Sequence, residues 1–255
     1  MKTFKKLFKK YKIDGYIVPK NDEYFNEYVN SSNDRLKFIS NFSGSAGFAI
    51  VLKNKNYLFV DGRYTIQAHY QSGKKFKIIT IPSKLPKDIL KTNKKIVLGF
   101  DPQLHTEKQL DSLFKIKNVE LKSINKNLVD MVWFNRPKVT INPFFSISSK
   151  NAGATSVKKI GQVKNLLSKN KVDYLLVTAP ENVAWILNIR GNDSSYSPVP
   201  NARLLISKSG DINLFANPKK LIKLKKIKVP LNDEKVTERI LNQLSKKRIW
   251  IDSFS

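Results

Sequence analysis

The sequence lacks cysteine altogether and has only two histidines among its 255 residues. Without cysteine, a disulfide, a thiolate metal ligand and a cysteine nucleophile are all excluded. Long apolar runs are also missing, so no segment predicts a membrane span, and residues 1–8 lack the unbroken apolar core of a secretion signal. These absences predict a protein with no membrane partner and agree with a cytoplasmic location.

Histidine is too scarce to build a familiar catalytic or metal-binding motif. His69 and His105 fit no metal spacing such as H-E-x-x-H, and the sequence supplies no third ligand beside either one. No G-x-S-x-G nucleophile motif occurs. The residues themselves therefore predict no catalytic residue and no metal or cofactor site in this chain.

Arginine is also scarce. The net charge is +27, but only seven of the 47 basic residues are arginine. Specific recognition of bases and phosphates favours the planar arginine fork, whereas lysine often serves as a solubilising surface residue. The lysines occur in pairs from Lys5-Lys6 to Lys246-Lys247, which is typical of compositional bias rather than of one binding face. We expect no specific nucleic-acid partner, but salt-sensitive attraction to polyanions.

Two glycines, Gly44 and Gly47, lie in the loop-like stretch FISNFSGSAG. A phosphate-binding loop follows a strand and precedes a helix, whose N-terminal amides face the anion. Here a helical spacing precedes the glycines, with Asn33 or Asp34 as its N-cap and Phe42 near its end, and a strand-like apolar run follows them. The order predicts a structural turn instead of a nucleotide site.

Two stretches of the chain occur twice. Residues 8–18 (FKKYKIDGYIV) resemble residues 167–177 (LSKNKVDYLLV), and residues 38–44 (FISNFSG) resemble residues 185–191 (WILNIRG). Repeats this far apart predict two similar domains rather than a solenoid, whose repeats are shorter. Because Pro137 and Pro143 interrupt regular structure between the halves, we place the first domain at residues 1–140 and the second at residues 141–255.

Alternating strand and helix patterns within each half predict an α/β fold with two tandem three-layer domains. A short polar turn at residues 53–56 joins two strands as a hairpin, so the sheets are expected to be mixed. The second domain is predicted to be incomplete, because only three residues follow its last strand-like stretch at 248–252. The main predicted strands are 16–19, 47–52, 57–61, 76–81, 95–100, 119–124, 174–177, 203–207 and 212–215, and the main predicted helices are 63–71, 106–115, 156–168 and 233–246.

The motif Asp61-Gly62-Arg63 follows a predicted strand and opens a predicted helix. Asp61 can cap that helix, and Gly62 can turn the chain with a positive φ. This gives the motif a complete structural explanation. We therefore interpret it, together with Gly44 and Gly47, as structural rather than catalytic.

A second charged motif, Asn188-Ile189-Arg190-Gly191-Asn192-Asp193, lies on a glycine loop beside Pro198 and Pro200. Loops held by rigid elements are common places for ligand contacts. We expect Asn188, Arg190 and Asp193 to lie near a substrate, although surface Arg and Asp residues are more often simply solvated.

Taken together, these segments resemble the N-terminal part of the Xaa-Pro aminopeptidases, in the creatinase or "pita-bread" metallopeptidase family. The matching segments cover nearly the whole chain in order. They are residues 34–47 (DRLKFISNFSGSAG), 61–64 (DGRY), 127–133 (NLVDMVW) with Arg136-Pro137, and 181–191 (ENVAWILNIRG) with Asp193. The sequence is similar to the long type of the family, in which two α/β domains precede the catalytic one.

The resemblance implies an activity that this chain does not carry alone. Family members hydrolyse the N-terminal residue from peptides with proline in second position, using two divalent metals, typically Mn²⁺, held by two Asp, two Glu and one His of a C-terminal domain. None of those ligands can be matched here, so the chain is interpreted as the non-catalytic N-terminal portion, inactive by itself. The implied partners are the catalytic domain, short Xaa-Pro peptides and a second copy in a homodimer.

The alternative hypothesis is a binding module without catalytic activity. Domains related to this family occur in histone chaperones whose peptidase fold has lost its metals, and a chain of charge +27 can bind acidic proteins or nucleic acid. Retention of one acidic partner at high ionic strength would favour this alternative, whereas uniform loss would indicate nonspecific lysine attraction.

Overall fold

The computed structural model describes residues 1–91, 93–222, 224 and 230–253. The chain divides into two compact units, Met1–Lys138 (unit 1) and Val139–Ser253 (unit 2). Each unit has a main sheet and hydrophobic clusters of its own. The prediction of two tandem α/β domains is confirmed. None of the helices among the described residues is long and apolar enough to span a membrane.

Unit 1 alternates strands and helices along the chain. Its strands are β1 (Gly15–Pro19), β2 (Phe48–Leu52), β3 (Asn56–Asp61), β4 (Lys77–Ile81), β5 (Ile96–Phe100) and β6 (Val119–Ser123). Its helices are α1 (Lys2–Tyr11), α2 (Arg35–Ser40), α3 (Thr65–Ser72), α4 (Pro86–Ile89) and α5 (Glu107–Phe114).

The sheet of unit 1 has the strand order β4-β3-β2-β1-β5-β6. Strand β2 is antiparallel to both of its neighbours, β1 and β3, and every other neighbouring pair is parallel. The hairpin predicted at residues 53–56 is the β2–β3 connection. The sheet is therefore mixed, as the sequence predicts.

Both faces of this sheet are covered, which makes three layers. Tyr16 and Val18 of β1 pack into one cluster with Phe4 and Phe8 of α1. Ile17 faces the other side, where it packs in a second cluster with residues of α5. Because side chains alternate along a strand, one buried strand contributes to both layers of core.

The residues that flank helix α2 define its two ends. The Asp34 carboxylate accepts a hydrogen bond from the Lys37 amide at 3.1 Å, as an N-cap does. The helix ends at Ser40, because Asn41 adopts a left-handed conformation with φ of 68°. The sequence pattern extended this helix to Phe42, which is wrong by two residues: Phe42 is buried beyond the helix.

Unit 2 repeats the plan of unit 1. Its strands are β7 (Phe145–Ser146), β8 (Tyr174–Val177), β9 (Ile189–Arg190), β10 (Arg203–Ser207), β11 (Ile212–Phe215), β12 (Leu231–Asn232) and β13 (Ile249–Ile251). Its helices are α6 (Ser149–Ala152), α7 (Ser156–Lys169), α8 (Pro180–Leu187) and α9 (Thr237–Gln243). The predicted helix at 233–246 is shorter than expected and starts with a 3₁₀ turn, Glu234–Val236.

The main sheet of unit 2 has the order β12-β11-β10-β8-β13, the same plan as β4-β3-β2-β1-β5 in unit 1. Strand β10 is antiparallel to β8 and β11, and the outer pairs are parallel. Helices α7 and α8 cover one face with Leu204 and Ile206. Helix α9 covers the other with Leu205 and Phe215. A separate two-stranded ladder pairs β7 with β9.

Candidate functional site

The loop after α8 begins at Asn188, which ends the helix in the left-handed conformation with φ of 53°. Asparagine tolerates this conformation better than most residues. Its side chain is buried and bonded at both ends. The amide Nδ2 donates to the Ala154 carbonyl at 2.8 Å, and Oδ1 accepts from the Lys159 ammonium at 2.6 Å. Asn188 therefore fixes where the loop starts.

Lys159 is a candidate site residue that the sequence pattern does not predict. It lies on α7, its side chain is almost fully buried, and no carboxylate among the described residues lies within 4.0 Å of it. Its Nζ donates to the Trp185 carbonyl at 2.6 Å and lies 4.4 Å from the centroid of the Trp185 ring. Burial lowers the pKa of this ammonium, and the nearby positive charge of Arg190 lowers it further.

Arg190 lies on β9, directly opposite Phe145 of β7. Its Nη1 donates to the Ala184 carbonyl at 3.2 Å and to the Ile189 carbonyl at 2.8 Å. Arg190 and Lys159 thus both bind carbonyls in the last turn of α8, where cations interact favourably with the helix dipole. Arg190 is half-buried, and within the described part of the chain no carboxylate pairs with its guanidinium.

Asp193 is buried and paired within unit 2. Its Oδ1 accepts from the Lys220 ammonium at 2.7 Å, and its Oδ2 accepts from the Asn201 amide at 2.7 Å. The Asp193 and Lys220 side chains are 3% and 9% exposed. This ion pair ties the loop to the segment after β11, so Asp193 holds the loop in shape.

Of the three predicted site residues, the structure gives Arg190 the most accessible polar group. Two cations, Arg190 and Lys159, lie close to two exposed aromatic residues, Phe145 and Trp185. Such a group can hold a carboxylate or a polarised carbonyl beside an apolar side chain. It has no nucleophile with a paired base, so its chemistry is binding rather than bond cleavage.

The motif Asp61-Gly62-Arg63 makes a local cap in unit 1. The Asp61 carboxylate accepts from the Arg63 amide at 2.9 Å and forms an ion pair with Arg63 Nη2 at 2.6 Å. The expectation of a positive φ at Gly62 is wrong, since Gly62 lies in a 3₁₀ turn outside the left-handed region. A Cβ added at Gly62 would meet no atom within 4 Å.

Gly44 and Gly47 differ from Gly62 because the fold requires both. A Cβ at Gly44 would overlap the Phe42 ring. Gly47 has a φ of 151°, and its Cβ would lie 2.6 Å from the Phe59 carbonyl oxygen. The FISNFSGSAG stretch is therefore a packed turn that leads from α2 into β2.

Two further motifs of the sequence meet in a partly buried ion network around Arg35 in unit 1. Arg35 donates to Asp130 at 2.8 Å and to Glu23 at 2.6 Å, and Arg136 pairs with the same Asp130 at 2.9 Å. Arg35 is 3% exposed. Since these residues are up to about a hundred positions apart in sequence, the network fastens the end of unit 1 onto α2.

The described residues do not fit a pair of divalent metal ions. Among them, no three His, Cys, Asp or Glu residues come together in a group that could hold a metal. His69 is exposed on α3. His105 bonds through Nδ1 to the Asp101 carbonyl at 3.0 Å.

Fold and loop define a protein of two tandem three-layer α/β domains, the second with Arg190 and the buried Lys159 at the C-terminal end of α8. Two family models, both described as the creatinase/prolidase N-terminal domain, match residues 1–132 and 135–255. The chain belongs to this family.

Known relatives point to one group of enzymes. The chain is 35% identical over 230 residues to the probable Xaa-Pro aminopeptidase P of Coprinopsis cinerea, covering 86% of this chain and 36% of the relative. It is 33% identical over 215 residues to aminopeptidase P1 of Lotus japonicus, covering 82% and 32%. The chain thus spans about a third of the length of these relatives.

A solved structure agrees in fold over nearly the whole chain. The X-prolyl aminopeptidase of Caenorhabditis elegans, described as a cytosolic enzyme with a di-nuclear active site, matches with a TM-score of 0.84 and 28% identity. The match covers 94% of this chain and 42% of the nematode enzyme.

Proposed function

We propose that this chain forms the N-terminal domains of a metal-dependent Xaa-Pro aminopeptidase, which removes the N-terminal residue from peptides with proline in second position. The observation that carries the proposal is the similarity to probable Xaa-Pro aminopeptidases P along 86% of the chain. The fold match to the nematode enzyme supports it. Since the chain spans 36% of the fungal relative, we place the catalytic residues and two divalent metals, with Mn²⁺ as the expected ion, outside these 255 residues.

In this proposal, the loop from Asn188 to Asp193 borders the substrate. Arg190 donates hydrogen bonds to a carbonyl or to the terminal carboxylate of a short peptide, because its guanidinium has no carboxylate partner among the described residues. Asn188 and Asp193 hold the loop rigid through Lys159 and Lys220. Rigid support reduces the entropy cost of binding.

The test compares alanine release from an Ala-Pro-Ala tripeptide by the 255-residue chain and by the full-length protein that the gene encodes, called here the gene-length protein. We expect the gene-length protein to release alanine, to lose that activity on treatment with a chelator and to regain it with Mn²⁺. The 255-residue chain should release no alanine, and circular dichroism should show that it is folded. Alanine release by the purified 255-residue chain would contradict the proposal, as would a gene-length protein that is inactive with metal present.

Two further parts of the proposal rest on the relatives. A cytoplasmic location is inferred from the nematode enzyme, which is described as cytosolic. Assembly as a homodimer stays a prediction, which the molecular mass of the gene-length protein in solution tests.

A further inference from the structure

The topology of unit 1 brings separate lysine pairs of the sequence together. All strands except β2 run in one direction, so their N-terminal ends and the β2–β3 turn share one edge of the sheet. Ten lysines, all exposed, are at these strand ends or within four residues of them. We call them the lysine edge: Lys12, Lys53, Lys55, Lys74, Lys75, Lys77, Lys94, Lys95, Lys115 and Lys117.

Hydrogen bonds join neighbouring loops along this edge into a continuous row. The Lys53 amide donates to the Asp14 carbonyl at 3.2 Å, and Asn56 Nδ2 donates to the Lys75 carbonyl at 2.9 Å. On the other side of β1, the Asp14 amide donates to the Val97 carbonyl at 2.8 Å, and the Ile96 amide donates to the Asn118 carbonyl at 2.9 Å. With neighbouring strands about 4.8 Å apart, the row across the six strands is roughly 24 Å long.

Charge on the lysine edge is strongly one-sided. Among the described residues, the same strand-end segments hold one carboxylate, Asp14, which pairs with Lys53 at 2.7 Å. The nearby Glu120 of β6 pairs with Lys95 at 2.5 Å. Ten lysines therefore share this edge with two acidic residues, Asp14 and Glu120, so positive charge is in large excess there.

At the opposite edge of the same sheet, positive and negative charges are equal in number when residues are counted over the strand ends in the same way. It holds four basic and four acidic residues among the described positions. These are Lys20, Arg63, Lys84 and Lys126 against Asp22, Glu23, Asp61 and Asp101. A general excess of lysine would enrich both edges alike, so folding concentrates the charge at one of them.

The chemistry of the lysine edge indicates the class of partner. None of its described segments carries an exposed large hydrophobic residue that could enter a bilayer or stack on an unpaired base. A row of lysines without arginine forks suits repeated phosphates and not base edges. We propose that the lysine edge of unit 1 binds the phosphate backbone of a nucleic-acid duplex without reading its base sequence. This surface is independent of the proposed peptidase function.

The experiment measures binding of the 255-residue chain to a fluorescein-labelled 24-base-pair DNA duplex between 50 and 250 mM salt. The edge variant replaces Lys55, Lys74, Lys75 and Lys117 with Gln. A matched variant replaces Lys37, Lys84, Lys87 and Lys126, four exposed lysines of unit 1 away from the edge. Both variants lose four positive charges, so net charge alone cannot distinguish them.

We expect the edge variant to lower the slope of log affinity against log salt by about 2 to 4, since each lost phosphate contact contributes about 0.9. Its affinity at 100 mM salt should fall at least tenfold. The matched variant should change the slope by less than about one. An unrelated duplex sequence of the same length should bind equally well.

Three results would overturn the inference. One is equal loss of affinity in both variants, which would mean that the charge acts as a whole. Another is the absence of duplex binding at 50 mM salt. The third is tighter binding to phosphatidylserine vesicles than to the duplex at the same salt, with the edge variant losing it, which would assign the surface to a membrane.

Discussion

The loop after α2 in unit 1 and the loop after α8 in unit 2 use the same backbone solution with different side chains. Each helix ends at an asparagine in the left-handed conformation, Asn41 with φ of 68° and Asn188 with φ of 53°. Each asparagine is followed three residues later by a tightly packed glycine, Gly44 or Gly191. The internal repeat in the sequence thus preserves how a helix leads into the next strand.

The side chains that surround the two loops differ in charge. In unit 1, Ser43 is bonded to neutral partners, with its amide donating to Gln71 Oε1 at 2.9 Å and its hydroxyl accepting from Gln67 Nε2 at 2.9 Å. In unit 2 the corresponding residue is Arg190, beside the buried Lys159. The two loops thus share a turn and differ in electrostatics, and this difference is why we propose a binding role for the loop of unit 2 and none for the loop of unit 1.

The largest effect is expected from removing the anchor of the unit 2 loop. Asp193→Ala leaves the Lys220 ammonium buried without its carboxylate, which should lower the free energy of unfolding by about 3–5 kcal/mol. Urea unfolding followed by circular dichroism measures this. Asp173→Ala breaks the more exposed pair with Lys208 in the same unit and should have a much smaller effect. Equal losses in the two variants would show that the Asp193 pair does not anchor the loop.

The next largest effect is expected when glycines of unit 1 are replaced with alanine. Gly47→Ala forces a side chain onto a φ of 151° and against the Phe59 carbonyl oxygen, so we expect a loss of roughly 3 kcal/mol in unfolding free energy. Gly62→Ala meets neither obstacle and should be neutral or slightly stabilising. Urea midpoints of the two variants measure the difference. A tolerated Gly47→Ala would mean that the turn after α2 is less constrained than its geometry indicates.

Alanine substitutions at the two asparagine caps distinguish two contributions to stability: the left-handed backbone that both loops share, and the buried Lys159 charge that only the unit 2 loop has. Asn41→Ala should lose about 1 kcal/mol, because only the left-handed preference is lost at an exposed position. Asn188→Ala should lose about 2–4 kcal/mol, because the Lys159 ammonium also loses an acceptor in a buried site. Thermal and urea unfolding of both variants test this. If the two losses were the same, Lys159 would contribute nothing to holding the unit 2 loop.

A smaller effect is expected in the pH dependence of unfolding, which should differ between the two units because both histidines lie in unit 1. Burial lowers the pKa of His105 below its usual value of 6.5, and its buried Nε2 has no hydrogen-bond partner among the described residues. The native state then binds fewer protons than the unfolded state, so the stability of unit 1 should fall as pH drops below about 6.5 and level off below the folded pKa. Burial raises the pKa of Asp22 and Asp101, whose contributions have the opposite sign at more acidic pH.

In a background where Trp185 and Trp250 of unit 2 are replaced with Phe, fluorescence of Trp133, the one tryptophan of unit 1, follows this unit during urea unfolding at pH 7.5 and 5.5. His105→Gln should remove most of the drop in stability, whereas His69→Gln, at an exposed position, should leave it unchanged. A drop that persists in His105→Gln would assign the pH dependence to another group.

Much of the fold follows from local sequence patterns. The predicted strand 174–177 and the start of the predicted helix at 156 match the structure, because alternation and caps are encoded by neighbouring residues. The ends of helices are harder to predict from sequence, since a left-handed asparagine such as Asn41 stops a helix in the middle of an apolar pattern.

Contacts between distant residues could not be read from the sequence. The hydrogen-bond partners of Lys159 could not be predicted, because its acceptors Trp185 and Asn188 lie on another helix and in the loop that follows it. A helical step of four places it on the same side of α7 as the packed Val163, which was the available signal. Likewise, the lysine edge appears only when parallel strands align their N-terminal ends.

The most direct test of a binding role for the unit 2 loop is the kcat/KM that the gene-length protein, as the proposed aminopeptidase, shows on an Ala-Pro-Ala tripeptide. We expect Arg190→Ala to lower kcat/KM by about 10- to 100-fold, or roughly 1.4–2.7 kcal/mol, with unfolding measured in parallel to confirm an intact fold. Ser43→Ala, at the corresponding position of unit 1, should leave kcat/KM unchanged. An unchanged value in Arg190→Ala, or an equal loss in Ser43→Ala, would contradict the account.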